Sequence, residues 1–582
     1  MALEPRRTLV EHVAARASTL HDAIYPTGEV RVGVPACELS EDQLAERWCA
    51  ASAKGNWLHF RRRLADDNLK ASSLSSLLQT TSVTPLWLST FRNLMIDRPS
   101  RTEILERKFG ARLSTELPHF IPLLAVAEAG SDMLAAASLP WATNEVQWSE
   151  HARRDLVECL LCRLHAVSAA VLDAESCAND RSERLRHKER EQLIGEYPVL
   201  GRLWSITVEQ WVKDSSHLVR RLAADAGPLA SLLSLQQPLE LTRVSMPLSD
   251  LHDHGQSVRR IDFAGGESIM YKPRPLSLEQ IYYGLFQVID GCSRLFPVIL
   301  ERDRYGWMAA KEPPTQHTPS PGYMKSLGQH LALLFILGGS DVHAENMLTV
   351  DGRACPIDLE CLLDYDFGQP ESAAEQLLRI GILPGSCVNK IGPDAFDVSV
   401  LATANRRERD GSSCLVPDSL LSCPPGVAQH TIGGFRALHQ VAGGCSDDIR
   451  RAVSRMEQME VRRTVRPTWV YKDLISRSLE PVHLKSGFLW SLCFERLYRA
   501  VVNRDSGTRW FVCGQEIASM HRLDVPKLMF HPSRRYWREA GSERTNLVQG
   551  GLDNTAVNAV ESRLLASTQA SCVEAIRSLL AD

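Results

Sequence analysis

The stretch "MKSLGQHLALLFILGGSDVHAENMLTVDGRACPIDLECLLD", residues 324–364, limits the folds open to this chain more than any other. An apolar helical run ends on Gly338 and Gly339, and Asp341, His343 and Asn346 follow at once. After the turn signal "VDGRA", the run "RACPIDLECLLD" reads as a buried strand carrying Asp358 and Glu360. Acids and an amide are thus set between two apolar elements.

Phosphoryl transfer asks for this kind of spacing. One carboxylate orients the attacking hydroxyl, and further oxygen ligands hold magnesium against the nucleotide phosphates. In protein kinases the loop H-R-D-x-x-x-x-N puts Asn five residues after Asp, and a second, metal-binding Asp follows on a later strand. Asp341, Asn346 and Asp358 keep that order. Here, however, the motif is D-x-H-x-x-N followed by I-D-L-E, with neither H-R-D nor D-F-G, and this is closer to the lipid-kinase-like branch. Lys272, about seventy residues upstream at the end of an expected strand, stands where a phosphate-pairing lysine belongs. A polar turn with capping Asp and Asn accounts for any one of these residues, but not for all four in kinase order.

The rest of the chain is globular in composition, 582 residues with 44% hydrophobic and 23% charged side chains. A net charge of -4 makes no global electrostatic case for nucleic acid or an anionic membrane. No apolar stretch approaches the roughly 20 residues of a spanning helix. The amino terminus "MALEPRRTLVEHVAARASTL" has no signal core, and fifteen cysteines scattered through helical and apolar segments suit a reducing cytoplasm.

Residues 1–235 read as helices, with "LAERWCAASAKGNWLHFRRRLADD" and "ARRDLVECLLCRLHAVSAAVLDAES" apolar at three- and four-residue steps. Cys159 and Cys162 within the second read as core thiols, and "DRSERLRHKER" as a solvated helix face. Near residue 240 the character changes. "SVRRIDFAGGESIMYKPRP" predicts two strands joined by a Gly-Gly turn, the second ending at Lys272, then a helix from Ser277 to about Ile289. From Pro384 to about Gly444 the chain is weakly patterned and reads as a long loop, either functional or mobile. Residues 445–582 read as helices interrupted by "RRTVRPTWVY" and "FHPSRRYW".

Two further constellations carry chemistry. In "SDLHDHGQS", Asp250, His252, Asp253 and His254 suggest a metal site, but alternate residues cannot all face one ion, and a polar turn or a catalytic acid/base group, which the residues alone do not separate, are the better readings. In "VRRTVRPTWVY", an extended chain would put Arg462, Thr464, Arg466 and Thr468 on one face, offering guanidinium forks to a phosphate. The residues alone favour solvated arginines and a threonine capping the next helix.

These motifs, together with "EYPVLGRLWSITVEQW", "IGILPG", "TIGGFRALH" and "EIASMHRLDVPKL", in this order over nearly the whole chain, resemble the dehydratase domain of class II (LanM-type) lanthipeptide synthetases. The resemblance implies a mostly helical α+β chain: a large helical N-terminal domain, residues 1–235; a kinase-like N-lobe, 236–325, with the hairpin and Lys272; and a kinase-like C-lobe, 326–582, with catalytic and metal loops, an activation-type loop and elimination-site helices. It implies a lipid-kinase-like core that phosphorylates Ser and Thr of a ribosomal, leader-bearing precursor peptide with ATP and magnesium, then eliminates phosphate to give dehydroalanine or dehydrobutyrine. By the same resemblance Lys272, Asp341, His343, Asn346 and Asp358 serve phosphorylation, with Asn346, Asp358 and Glu360 at the metal, while Asp250, His252, Arg462 and Thr468 serve elimination. That reverses the reading of Arg462 and Thr468 as solvated and capping residues. Family synthetases run on into a zinc-dependent cyclase. This chain stops within about thirty residues of "GGLDNTAVNAV" without a Cys-His-Gly motif, and Cys445, Cys493, Cys513 and Cys572 are widely separated. The expectation is therefore no zinc, and ring closure left to a separate cyclase or other tailoring enzyme. Two other readings stay in play: a peptide or small-molecule kinase that does not eliminate, and a non-catalytic pseudokinase-like scaffold. The second predicts loss of Lys272, Asp341 or Asp358, all of which are present.

Overall fold

A computed structural model describes residues 3–24, 30–32, 39–70, 73–82, 86–95, 117–137, 139, 141, 143–176, 190–291, 295–310, 320–365, 372–385, 388–391, 394–402, 426–503, 507–540, 545–547 and 556–580. The chain is mostly helical with several small sheets, an α+β protein. It divides into two compact units, one of residues 1–271 with 470–526, the other of residues 272–469 with 527–582.

In the first unit the helix Pro198–Ala224 is the central element, its Trp204 and Trp211 fully buried. Each indole also has to satisfy an N–H away from water, and each does so across to the helix Glu150–Ser176: Trp211 Nε1 donates to the Leu156 carbonyl at 2.8 Å and Trp204 Nε1 to Ser168 Oγ at 2.9 Å. Residues 470–526 pack with the amino-terminal helices. Glu495 accepts from Trp48 Nε1 at 2.7 Å and from Arg63 Nε and Nη2 at 2.8 Å each, a buried carboxylate satisfied on both oxygens. Four strands follow one another in this unit: Val146–Trp148 parallel to Leu239–Val244, then Arg259–Phe263 and Ser268–Lys272 antiparallel. The expected hairpin is present, with Arg259 opposite Tyr271 and Gly266 at φ 85° in its turn. Residues 180–189 of the charged run "DRSERLRHKER" lie outside the described residues.

The second unit is built on the helices Ser277–Asp290, Pro321–Ile336 and Val427–Gly444. The last two cross at backbone contact. A Cβ on Gly434 would stand 1.9 Å from the Lys325 carbonyl oxygen, and one on Gly328 would stand 1.9 Å from that of Thr431. Glycine in "TIGGFRALH" is therefore a packing requirement.

Three expectations are corrected here. "RACPIDLECLLD" is a strand only over Arg353–Pro356, paired with Met347–Val350, because Asp358 at φ 62° turns the chain out of extended geometry. The segment from Pro384 to Gly444 is no continuous loop: it holds the hairpin Val388–Ile391 with Asp394–Asp397 and the helix Val427–Gly444, while residues 403–425 lie outside the described residues. The third concerns residues 445–582, read as helices with two interruptions: the interruptions are present, but a sheet that was not expected is built at them. Val461–Arg463 pairs with Leu528–His531, which pairs with Tyr536–Glu539.

Candidate active site

Two backbone features shape the site in the second unit. Asp341 at φ 65° and Asp358 at φ 62° both occupy the left-handed region, which an L-residue enters at a cost and which Asp tolerates better than most. Backbone bonds hold the two segments together: Ser340 N donates to the Cys361 carbonyl at 2.9 Å and Ile357 N to that of Asn346 at 2.8 Å. On the other side Val342 N donates to the Ile380 carbonyl at 2.7 Å. Gly381, at φ 100°, has room for no Cβ, since one would lie 2.9 Å from the Val342 carbonyl carbon. The "IGILPG" motif thus seats the Asp341 loop.

Within that loop Asn346 Nδ2 donates to the Asp341 carbonyl at 2.9 Å and lies 3.5 Å from His343 Nε2. The amide nitrogen is committed, so the oxygen of Asn346 is the atom left for a ligand. His343 Nδ1 is buried and has no hydrogen-bond partner among the described residues.

Facing the loop, Lys272 Nζ donates to Asp358 Oδ1 at 3.0 Å and lies 4.0 Å from Glu279 Oε1. Arg274 forks onto Glu279, contacts the same Asp358 Oδ1, and puts Nε 3.3 Å from Glu360 Oε2. Glu360 also accepts from Arg462 Nη1 at 2.7 Å on Oε1 and from Lys527 Nζ at 2.5 Å on Oε2. Four cations therefore converge on two acids at positions i and i+2 of the chain.

The charges behave accordingly. Burial works to raise the Asp358 carboxyl, yet Lys272 and Arg274 hold it well below the ordinary carboxylate range. Burial opposes Glu360 in the same way, and Lys527, Arg462 and Arg274 again prevail. Asp341 goes the other way: burial pushes it up against the pull of Arg462 and His343, and the nearby Asp358 and Glu360 charges add to the rise. The cluster thus pushes its acids apart, Asp341 upward and Asp358 and Glu360 downward.

The donor set can be tested for magnesium, a hard cation that takes oxygen ligands. Both cations on Asp358 use Oδ1, and its side chain is 28% exposed, so Oδ2 and the Asn346 oxygen fit. Glu360 does not fit, because both its oxygens are engaged by Arg462, Lys527 and Arg274. Its place is to hold those cations.

Lys272, Asp341, His343, Asn346, Asp358, Glu360 and Arg462 thus belong to one neighbourhood of the second unit. Thr468 opens the helix Thr468–Ser478, and the strand before it ends at Arg463, so the shared extended face from Arg462 to Thr468 is not formed. Asp250 and His252 belong to the first unit. There Asp250 Oδ1 pairs with Lys472 Nζ at 2.8 Å, and His252 Nδ1 meets the Val525 carbonyl at 2.7 Å. No group of three or more His, Cys, Asp or Glu among the described residues is arranged to hold a metal ion. Sequence reading passed over Arg274, Glu279 and Lys527. The first two follow Lys272 in "YKPRPLSLEQ", where a helix starting at Ser277 puts Glu279 in its first turn; Lys527 has no local signal, standing 167 residues from Glu360.

The fold and site define a mostly helical α+β protein with a buried cluster of acids and cations in its second unit. Residues 197–413 and 428–531, more than half of the chain, match the family described as a domain of unknown function, DUF4135, and the chain belongs to that family. The domain is known in lanthipeptide synthetase-like proteins. No curated protein matches the chain. No helix among the described residues is long and apolar enough to cross a membrane.

Proposed function

We propose that the chain is a peptide Ser/Thr dehydratase of the lanthipeptide type with a lipid-kinase-like core. The observation that carries this reading is Lys272 bonded to Asp358 at 3.0 Å beside a loop in which Asn346 is tied to Asp341, four residues in kinase order. In the first half-reaction Asp341 accepts the proton of a peptide Ser or Thr hydroxyl, whose oxygen bonds to the γ-phosphorus of ATP as ADP leaves. Lys272 and Arg274 are the cations for the phosphates. Magnesium, held by Asn346 and Asp358, would neutralise phosphate charge. In the second half-reaction the Cα proton passes to a base, the Cα–Cβ double bond forms as the Cβ–O bond breaks, and phosphate leaves to a cation; His252 as that base and Arg462 as that cation are assigned by the family resemblance. Asp250 and Thr468 enter this step by the family resemblance.

The test is incubation of the protein with ATP, magnesium and a leader-bearing Ser/Thr peptide, followed by mass spectrometry. Dehydrated product is expected from the native chain, no modification from Asp358→Ala, and accumulated phosphopeptide from Arg462→Ala. Full turnover by Asp358→Ala would remove the kinase assignment. A native chain that stops at phosphopeptide would make it a kinase without elimination.

A further inference from the structure

The "SDLHDHGQS" loop has a backbone that does not stand by itself. Asp253, His254 and Gly255 have φ of 44°, 63° and 78°, three consecutive left-handed residues, two of which carry side chains. Gly255 admits nothing larger, since a Cβ there would meet Arg163 Nη2 at 2.6 Å and Gln210 Cβ at 2.7 Å. What holds the loop is a pair of residues from "MHRLDVPKL" in the same unit. Asp524, 0% exposed, accepts from His254 N through Oδ2 and from Gly255 N through Oδ1, both at 2.9 Å. The next residue closes the latch: Val525 N donates to the Leu251 carbonyl at 2.9 Å, and the Val525 carbonyl takes His252 Nδ1 at 2.7 Å.

We infer that Asp524 is a positioning residue for His252, fixing both the path of the loop and the protonation pattern of the imidazole. A carbonyl only accepts, so the neutral ring carries its proton on Nδ1 and its lone pair on Nε2. That is the tautomer a general base needs, and it exists only while Val525 is held against the loop. The inference rests on the assignment of His252 as the base of elimination. A buried carboxylate that gives both oxygens to the amides of His254 and Gly255, with Arg522 Nε 3.4 Å from one of them, while its neighbour Val525 gives its carbonyl to the His252 ring, sets the direction of the ring as well as stapling the fold.

The experiment starts from a synthetic phosphoserine peptide, so that elimination is read without the kinase step. With Asp524→Asn, one acceptor oxygen is replaced by a donor that cannot receive an amide hydrogen. The kcat of elimination should fall by about 10- to 100-fold, less than loss of the base itself, with KM little changed. Phosphorylation of the unphosphorylated peptide should fall much less. Nitrogen NMR of the native protein should find His252 protonated at Nδ1, and the variant should give a mixture. Native His252 protonated at Nε2, or elimination and phosphorylation falling in step in Asp524→Asn, or an undiminished kcat, would overturn the positioning role. His252→Ala provides the separate control: undiminished elimination there overturns the base assignment and the inference with it, whereas phosphopeptide left intact by His252→Ala but consumed at the native rate by Asp524→Asn overturns the inference alone.

Discussion

Glu360 shows what one residue decides. It is buried, carries no free oxygen, and binds Arg274, Arg462 and Lys527 at once, so it is the anion that lets three cations sit together in a protein interior. Pairing of this kind does little for net stability, but its removal is expensive because the partners are left buried and uncompensated. Glu360→Gln should therefore destabilise the protein by about 3–5 kcal/mol, measured as a shift in urea midpoint at neutral pH. Glu360→Gln together with Lys527→Met should recover part of that loss. A double variant no more stable than the single one would contradict the pairing. Asp358 differs in keeping one oxygen clear of its cations, which is why it remains available to a ligand where Glu360 does not.

At the scale of elements, the second unit depends on helices that touch without side chains between them. The Pro321–Ile336 and Val427–Gly444 helices meet where Gly328 and Gly434 would each drive a Cβ into backbone carbonyl on the facing helix, and backbone cannot rotate away as a side chain does. Gly434→Ala should force the pair apart and cost about 1–3 kcal/mol, even though alanine is the better helix former. Thermal unfolding monitored by circular dichroism reads this directly. An unchanged or raised Tm would mean that the helices do not approach as closely as described. The consequence reaches the site, because the Pro321–Ile336 helix leads into Asp341 within five residues.

Over the whole molecule, buried histidines set the acid limit of stability. Burial holds His330 down to about 3, between the hydroxyl of Tyr282 at 3.0 Å and the Ala354 carbonyl at 3.0 Å, and stacks it on Phe286. His217 is lowered to about 4 by burial, and His439 and His521 are lowered from the same cause. The unfolded chain takes up these protons first, near pH 6.5. Stability attributable to the neutral rings is therefore complete above pH 6.5 and declines as pH falls toward the folded values, at about 1.4 kcal/mol per pH unit for the fully buried His330 and less for the half-buried His217. Asp358 and Glu360 have folded values below their unfolded ones, so their contribution is kept until pH drops through the carboxylate range. Urea denaturation at pH 7, 5.5 and 4.5 should show a steep fall already between 7 and 4.5, made shallower by His330→Gln. A flat profile over that range would contradict burial of these rings in the neutral form.

Sequence alone determined what depends on local chemistry and spacing. The helices before residue 235, the hairpin with its Gly-Gly turn and the helix starting at Ser277 were all legible, because propensity and turn geometry act over a few residues, and the order of Lys272, Asp341, Asn346 and Asp358 marked the residues that the fold brings together. It did not determine where the strand carrying Asp358 ends, since that depends on a left-handed residue whose cost is met by bonds to Asn346 and Ser340 on another segment. Nor did it determine that "VRRTV" supplies one strand and "FHPSRRYW" joins two others in a single sheet, since such pairing is non-local. Lys527 beside Glu360, and Asp524 beneath the His252 loop, likewise had no signal in their own neighbourhoods. Tertiary structure alone decided these, because a buried charge or an unpaired backbone amide takes its partner from whatever part of the chain packing brings within hydrogen-bond reach.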